Sequence, residues 1–180
     1  RGELHNLYGQ TEAAVDVSYW PAGLDDVSRP VPIGHPVWNT RLLILDEHRR
    51  PVPIGMTGHL YLGGVQLARG YLGRPDLTAE RFIDASRCHV GPSRCHVGPL
   101  YMTGDLARRR EDGAVIFLGR ADYQVKITGL RIELGEIEAT IAATGLTRAA
   151  TVVARDGRLV AYVIPGKSFS SKDLRHKLAQ

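Results

Sequence analysis

Five consecutive residues, Tyr8-Gly9-Gln10-Thr11-Glu12, put an aromatic ring, a hydroxyl and a carboxylate on one glycine-centred turn. A ring can stack on a base, a hydroxyl can approach a phosphate, and a carboxylate can hold Mg2+ through hard oxygen donors. The same residues also suit an ordinary loop entering a strand. A second candidate is Asp105, which follows Thr103-Gly104. Glycine lets the backbone come close to a ligand, and a carboxylate can accept from both hydroxyls of a ribose diol. A surface aspartate starting a strand would read the same way. The third stretch is Gly119 to Glu138, GRADYQVKITGLRIELGEIE. It runs through a turn, two short apolar-alternating segments (Gln124 to Thr128, Arg131 to Leu134) around Gly129, and the opening of an amphipathic helix at Gly135-Glu136. Strand-rich sequence precedes it and α+β sequence follows, so it reads as a joint.

A different chemistry is suggested by Cys88, His89, Cys95 and His96, whose residue types suit zinc. The heptapeptide SRCHVGP at 86–92 recurs without change at 93–99, so these four candidates are two residues counted twice. That favours a local duplication in an exposed loop, where insertions are tolerated. No disulfide framework is implied, and a reducing cytoplasm is the expected compartment.

The elements that must position these residues follow from punctuation and pattern. Residues 21–36 are rich in Pro, Gly and Asp and read as a surface loop. Strands are expected at Arg41 to Asp46 and His59 to Leu62, with a short Gly-interrupted one at Ala68 to Leu72. Asp76 to Ile83 reads as a helix capped by Asp76 or Thr78. Tyr101 to Arg109 and Ala114 to Leu118 form a hairpin turned at Glu111-Asp112-Gly113. Further on, Gly145 ends a helix lined by Ile137 and Ile141. A hairpin at Asp156-Gly157 joins Ala149–Ala154 to Leu159–Ile164, and Ser170 or Ser171 caps a last helix, Lys172 to Ala179.

The whole is 180 residues, 43% hydrophobic and 23% charged, enough for one or two ordinary globular domains. No apolar run approaches the roughly 18 residues of a membrane span. The start shows no signal segment, and RGELHNLYGQTE reads as the middle of a longer protein. The net charge of +4 and pI of about 9.3 raise nucleic acid as a partner. The bases are scattered, Arg108-Arg109-Arg110 is the single run, and aromatics are not interleaved with them, so no nucleic-acid partner is expected.

Four stretches, in order, resemble the motifs of the adenylate-forming (AMP-binding) superfamily, and most closely the amino-acid adenylation domains of non-ribosomal peptide synthetases. They are NLYGQTE (Asn6 to Glu12), GHLYLGGVQLARGYLGRPDLTAERF (Gly58 to Phe82), YMTGDL (Tyr101 to Leu106) and GRADYQVKITGLRIELGEIE (Gly119 to Glu138). The resemblance implies an α+β fold. Residues 1–121 would be the distorted β-barrel end of a large N-terminal subdomain. Residues 122–180 would belong to a small α+β C-terminal subdomain. It also implies ATP-dependent formation of an aminoacyl-AMP and its transfer to the phosphopantetheine thiol of a peptidyl carrier protein domain. Two other readings stay open: an acyl-CoA or aryl-acid ligase of the same superfamily, and a non-catalytic basic β-module that binds nucleic acid or protein.

The same resemblance assigns roles. Tyr8 would stack on adenine, Asn6 would bond its amino edge, Thr11 would sit by the phosphates and Glu12 would help hold Mg2+. Asp105 would take the ribose hydroxyls, Phe117 would pack near the ribose, and Arg120 would reach the ribose and phosphates. Asp122 would be the hinge, with Lys126 and Gly129 on a loop facing the site during thioester formation. Pocket positions fall at Leu7, Val15 and Asp16. HNLYGQTEAAVDVSYWPAG is similar to serine-activating modules, which implies L-serine, with threonine or another small polar amino acid as the alternative. Departures are Gln10 for a usual proline, Met102 and Thr128 for arginines, and a duplicated loop that one deletion would return to ordinary length. The family's phosphate loop and its distal lysine have no counterpart among these residues, Lys167 in PGKSF being a solvated loop lysine. The isolated chain is therefore expected to be inactive.

Overall fold

The computed structural model describes residues 2–23, 30–88, 98–122, 124–127 and 130–179, without the side chains of Lys126 and Arg131. It divides into two compact units, Arg1–Ala121 and Asp122–Gln180.

The first unit is built on an antiparallel five-stranded sheet. β4 (Thr40–Leu45), β5 (Thr57–Gly64), β7 (Pro99–Arg109) and β6 (Phe82–Asp84) lie side by side, and β8 (Val115–Arg120) also pairs with β7. β4 reads as an unbroken apolar run because both of its faces are covered. Leu42 and Ile44 pack with Val17, Leu60, Leu62, Tyr101 and Val115 on one side, and Leu43 and Leu45 with Tyr61, Ile83 and Leu100 on the other. A smaller sheet, β1 (Leu4–Tyr8), β2 (Ser18–Ala22) and β3 (His35–Pro36), is tied to the larger one where Ile33 N donates to Val115 O at 2.8 Å.

β7 organises the unit. Its pairing with β5 skips between His59 and Tyr61, and its pairing with β8 shifts between Leu106 and Ala107. Gly104 lies in the left-handed region at φ +80. Such irregularities bend a strand and re-aim its side chains. Here the bend delivers Asp105, whose backbone pairs with Arg120 across β8.

The second unit packs two hairpins against two helices. β9 (Gln124–Ile127) pairs with β10 (Leu130–Glu133), and β11 (Thr147–Arg155) with β12 (Arg158–Pro165). α2 (Leu134–Ala143) and α3 (Ser171–Leu178) bring Leu134, Ile141 and Leu174 together with Val152. Asp156 and Gly157, both at positive φ, make the tight turn of the second hairpin. Ser170 Oγ accepts from Asp173 N and caps α3 as its residue type predicts.

The expected α+β class holds, with corrections to individual elements. LHNLY forms a strand that its mixed pattern hid, because only Asn6 and Tyr8 of β1 turn partly inward. Ala68 to Leu72 forms no strand, and Gly70 sits at φ +145 there. α1 spans Pro75–Arg81 and follows Arg74 without a side-chain cap, while Phe82 and Ile83 leave the helix for β6. The Thr78 hydroxyl, a predicted cap, is engaged with the backbone of Tyr71 and Arg74 instead. α2 opens one residue early, at Leu134, because that side chain belongs to the core. Of the duplicated segment, His89, Cys95 and His96 lie outside the described residues, while Cys88 is a buried thiol.

Candidate functional site

The loop after β1 is held by a close backbone contact. A Cβ on Gly9 would fall 1.4 Å from the Val15 carbonyl oxygen, so only glycine fits. Val17 N donates to Tyr8 O at 2.8 Å and closes the loop. A 3-10 turn at Thr11–Ala13 follows, ended by Ala14 and Val15 in left-handed conformations.

That loop meets the bend of β7. Asp105 is only 2% exposed. Its Oδ1 accepts from Arg120 Nη1 at 2.8 Å, and its Oδ2 accepts from Gln10 Nε2 at 2.9 Å and from the Tyr8 hydroxyl. Gln10 Nε2 also lies 3.2 Å from the Tyr8 hydroxyl. Below the carboxyl, Thr103 Oγ1 accepts from Asp105 N at 2.9 Å and donates to Leu60 O at 2.8 Å. The Phe117 ring lies beside Tyr8, with centroids 6.4 Å apart. Burial, and then the charge of Asp105, push the Tyr8 phenol far above its ordinary value, so it remains a donor. The cluster thus presents two aromatic faces and a carboxyl oriented by several donors. That set suits a planar heterocycle joined to a diol.

At the far end of the same loop Glu12 is 7% exposed. Its Oε1 accepts from the Tyr71 hydroxyl at 2.6 Å, and its backbone carbonyl accepts from Ala68 N at 2.8 Å. Thr11 is exposed.

Tyr8, Asp105, Phe117 and Arg120 are therefore brought side by side, with Glu12 at the end of the same loop. Asn6 Nδ2 donates to Pro32 O at 2.7 Å, which commits that nitrogen to the scaffold. Leu7 points to the opposite face of β1 from Asn6 and Tyr8. Leu7 (56% exposed), Val15 (70%) and Asp16 are exposed. Asp122, the first residue of the second unit, accepts at Oδ1 from Gln124 N at 3.3 Å, a local turn. The Lys126 side chain and Gly129 lie outside the described residues.

A family model described as AMP-binding enzyme matches residues 1–72. Phosphinothricin tripeptide synthetase PhsB of Streptomyces viridochromogenes is 48% identical over 99% of this chain and 15% of its own length. Enterobactin synthase component F of Escherichia coli K12 is 56% identical over 78% of this chain and 11% of its own. The solved structure of PA1221, a non-ribosomal peptide synthetase protein containing adenylation and PCP domains, superposes with a TM-score of 0.79. It is 29% identical and covers 97% of this chain and 35% of that one.

The chain belongs to the AMP-binding enzyme family.

Within that family it falls among the adenylation domains of non-ribosomal peptide synthetases. It spans no more than about 15% of the length of the first of these curated relatives. Three further residues help to build the clusters around Asp105 and Glu12. Gln10 stands out in sequence only as a substitution for proline. Nothing local reveals that its amide reaches Asp105, 95 residues away. Tyr71 and Thr103 sit within motifs, and only the fold shows that their hydroxyls hold Glu12 and Asp105.

Proposed function

We propose that this chain supplies the ribose- and base-facing side of an ATP-dependent amino-acid adenylation site. In a longer parent it would serve non-ribosomal peptide synthesis. The observation that carries this is Asp105: a carboxyl only 2% exposed, gripped through both oxygens at a strand bend, with Tyr8 and Phe117 alongside. In the reaction a carboxylate oxygen of the amino acid attacks the α-phosphorus of ATP. The α–β bridging bond breaks, and pyrophosphate leaves with its electron pair. The phosphopantetheine thiol of a peptidyl carrier domain then gives up its proton and attacks the carbonyl carbon of the aminoacyl-AMP. The bond to the phosphate oxygen breaks, AMP leaves with the electron pair, and the aminoacyl group remains on sulfur as a thioester.

The roles of the residues follow from their chemistry. Tyr8 and Phe117 offer faces for adenine, Asp105 accepts the ribose hydroxyls, and Arg120 lies where it can bear on the nucleotide while orienting Asp105. Asn6 contributes its carboxamide oxygen toward the base edge, and Thr11 stands on the phosphate side. Mg2+ would be held by Glu12. Among the described residues no group of three or more His, Cys, Asp or Glu could hold a metal on its own. A single buried carboxylate completed by phosphate oxygens is the usual Mg2+ arrangement, so the donor set fits. The ion would offset charge on the phosphates, and cations and aligned donors of this kind lower barriers for phosphoryl chemistry.

Leu7, Val15 and Asp16 are proposed to border the amino-acid side chain, with Asp16 accepting from a hydroxyl, so L-serine is the preferred substrate. Asp122 is proposed as the hinge between the halves, and Lys126 and Gly129 as part of the loop serving thioester formation. Domain rotation would let one site serve two reactions. As for a nucleic-acid module, two residues of the Arg108 to Arg110 run are engaged within the chain. Arg109 donates to Leu42 O and Gly113 O, and Arg110 pairs with Asp112 beneath the Trp20 ring.

The test is amino-acid-dependent pyrophosphate exchange by the full parent across the amino acids and aryl acids. Serine should give the strongest signal. A response confined to aryl acids points to the ligase branch, and no exchange with any acid contradicts the proposal.

A further inference from the structure

A carboxylate as buried as Glu12 needs partners, because charge withdrawn from water is costly unless compensated. One partner is Tyr71, from a segment 59 residues away, and its hydroxyl reaches Glu12 Oε1 at 2.6 Å. That is the short distance of a charge-assisted bond. Tyr71 is placed for this by features that do not involve Glu12. Gly70 adopts φ +145, and a Cβ there would lie 2.4 Å from Thr78 Cγ2. The Thr78 hydroxyl accepts from Tyr71 N at 2.9 Å and itself donates to Arg74 O at 2.8 Å. The Tyr71 ring meets Phe82 edge-on at 5.7 Å, and Phe82 lies 5.1 Å from Tyr101. Tyr101 is fully buried on β7, the strand that carries Asp105.

We propose that Tyr71 is a positioning residue for the reaction. Its hydroxyl fixes the Glu12 carboxylate in one orientation toward the divalent cation, and its ring registers that carboxylate against the strand bearing Asp105. The loop from Tyr8 to Glu12 is thereby held at both ends by β7: through Tyr8 and Gln10 on Asp105 at one end, and through Glu12, Tyr71 and the Phe82 and Tyr101 rings at the other. This rests on the reading of Glu12 as the cation-holding carboxylate.

Tyr71→Phe in the full parent removes one oxygen and keeps the ring. Two titrations read it: Mn2+ binding in the presence of a non-hydrolysable ATP analogue, followed by electron paramagnetic resonance, and Mg2+ dependence of pyrophosphate exchange. The metal midpoint should rise roughly tenfold in both, as is usual when a hydrogen bond to a ligating side chain is lost. Saturating metal should restore most of the exchange rate, and KM for the amino acid should stay put. Thr78→Val, which unseats the Tyr71 backbone without touching Glu12, should shift the midpoint the same way by less. If neither variant moves the midpoint while Glu12→Gln does, the role of Tyr71 is overturned. If Glu12→Gln also leaves it unmoved, the reading of Glu12 itself falls, and this inference with it.

Discussion

Tyr101–Leu106 and the Asp122–Glu138 part of the last motif are both dense in motif residues, yet the structure uses them differently. In the first unit, motif residues bury polar groups and satisfy them over long sequence distances: Tyr8 and Gln10 with Asp105, Glu12 with Tyr71. In the second unit, described motif residues build scaffold. Gln124 donates to Glu133, Glu138 Oε1 accepts from Val152 N at 2.7 Å, and Leu134 enters a small apolar core. A carboxylate that caps a neighbouring strand is architecture. A carboxylate that collects donors at a strand bend, beside partly exposed aromatic rings, is the one proposed to receive a ligand. Motif density alone does not separate the two, whereas the destination of each hydrogen bond does.

Substitutions can break this contrast, beginning with the largest effect. Asp105→Ala leaves Arg120 and the Tyr8 hydroxyl without their buried partner, which should cost about 4 kcal/mol of stability. Chemical denaturation should show this, and ATP binding should fall below detection in the same protein. An equal stability loss with ATP affinity intact would make Asp105 scaffold, like Glu138. Ile141→Ala in the second unit should cost about 3 kcal/mol by opening its core, and leave the ATP dissociation constant of the folded protein unchanged. Gln10→Ala should cost about 1 kcal/mol and weaken ATP modestly, because Asp105 keeps Arg120 and Tyr8. A loss as large as that of Asp105→Ala would show that the amide is the main organiser.

The smallest effect should appear in alkali. The folded protein holds the Tyr8 proton more tightly than the unfolded chain, whose phenol titrates at its ordinary value of 10.0. The stabilisation is complete below that pH and declines as pH rises through and above it. Tyr8→Phe should flatten this part of the pH–stability curve measured from pH 9 upward (about one unit below that ordinary value), and the raised Tyr71 phenol should account for part of the remaining slope.

Much of this was legible in the residues. Apolar runs, glycine turns and the two Asp-Gly and Glu-Asp-Gly hairpin signals located β4, β5, β7, β8, β11 and β12, and the motifs named Tyr8, Asp105, Phe117 and Arg120, which the fold gathers. Local pattern failed where long-range contacts decide. β1 carries His5 and Asn6 in a half-exposed strand, and its pairing with β2 outweighs a weak alternation. Phe82 and Ile83 looked helical, and pairing with Tyr101 and Leu100 on β7 drew them into β6. Gln10, Tyr71 and Thr103 act through partners far away in sequence, which no window around them contains.

The proposed nucleotide site depends most on Asp105 accepting the ribose hydroxyls. The direct test is calorimetric binding of ATP, 2′-deoxy-ATP and 3′-deoxy-ATP to the parent and to its Asp105→Asn variant. Loss of either hydroxyl should weaken binding to the parent by roughly tenfold, the worth of a hydrogen bond to a charged acceptor. In Asp105→Asn the three nucleotides should bind with nearly equal affinity. Undiminished discrimination in that variant would contradict the assignment.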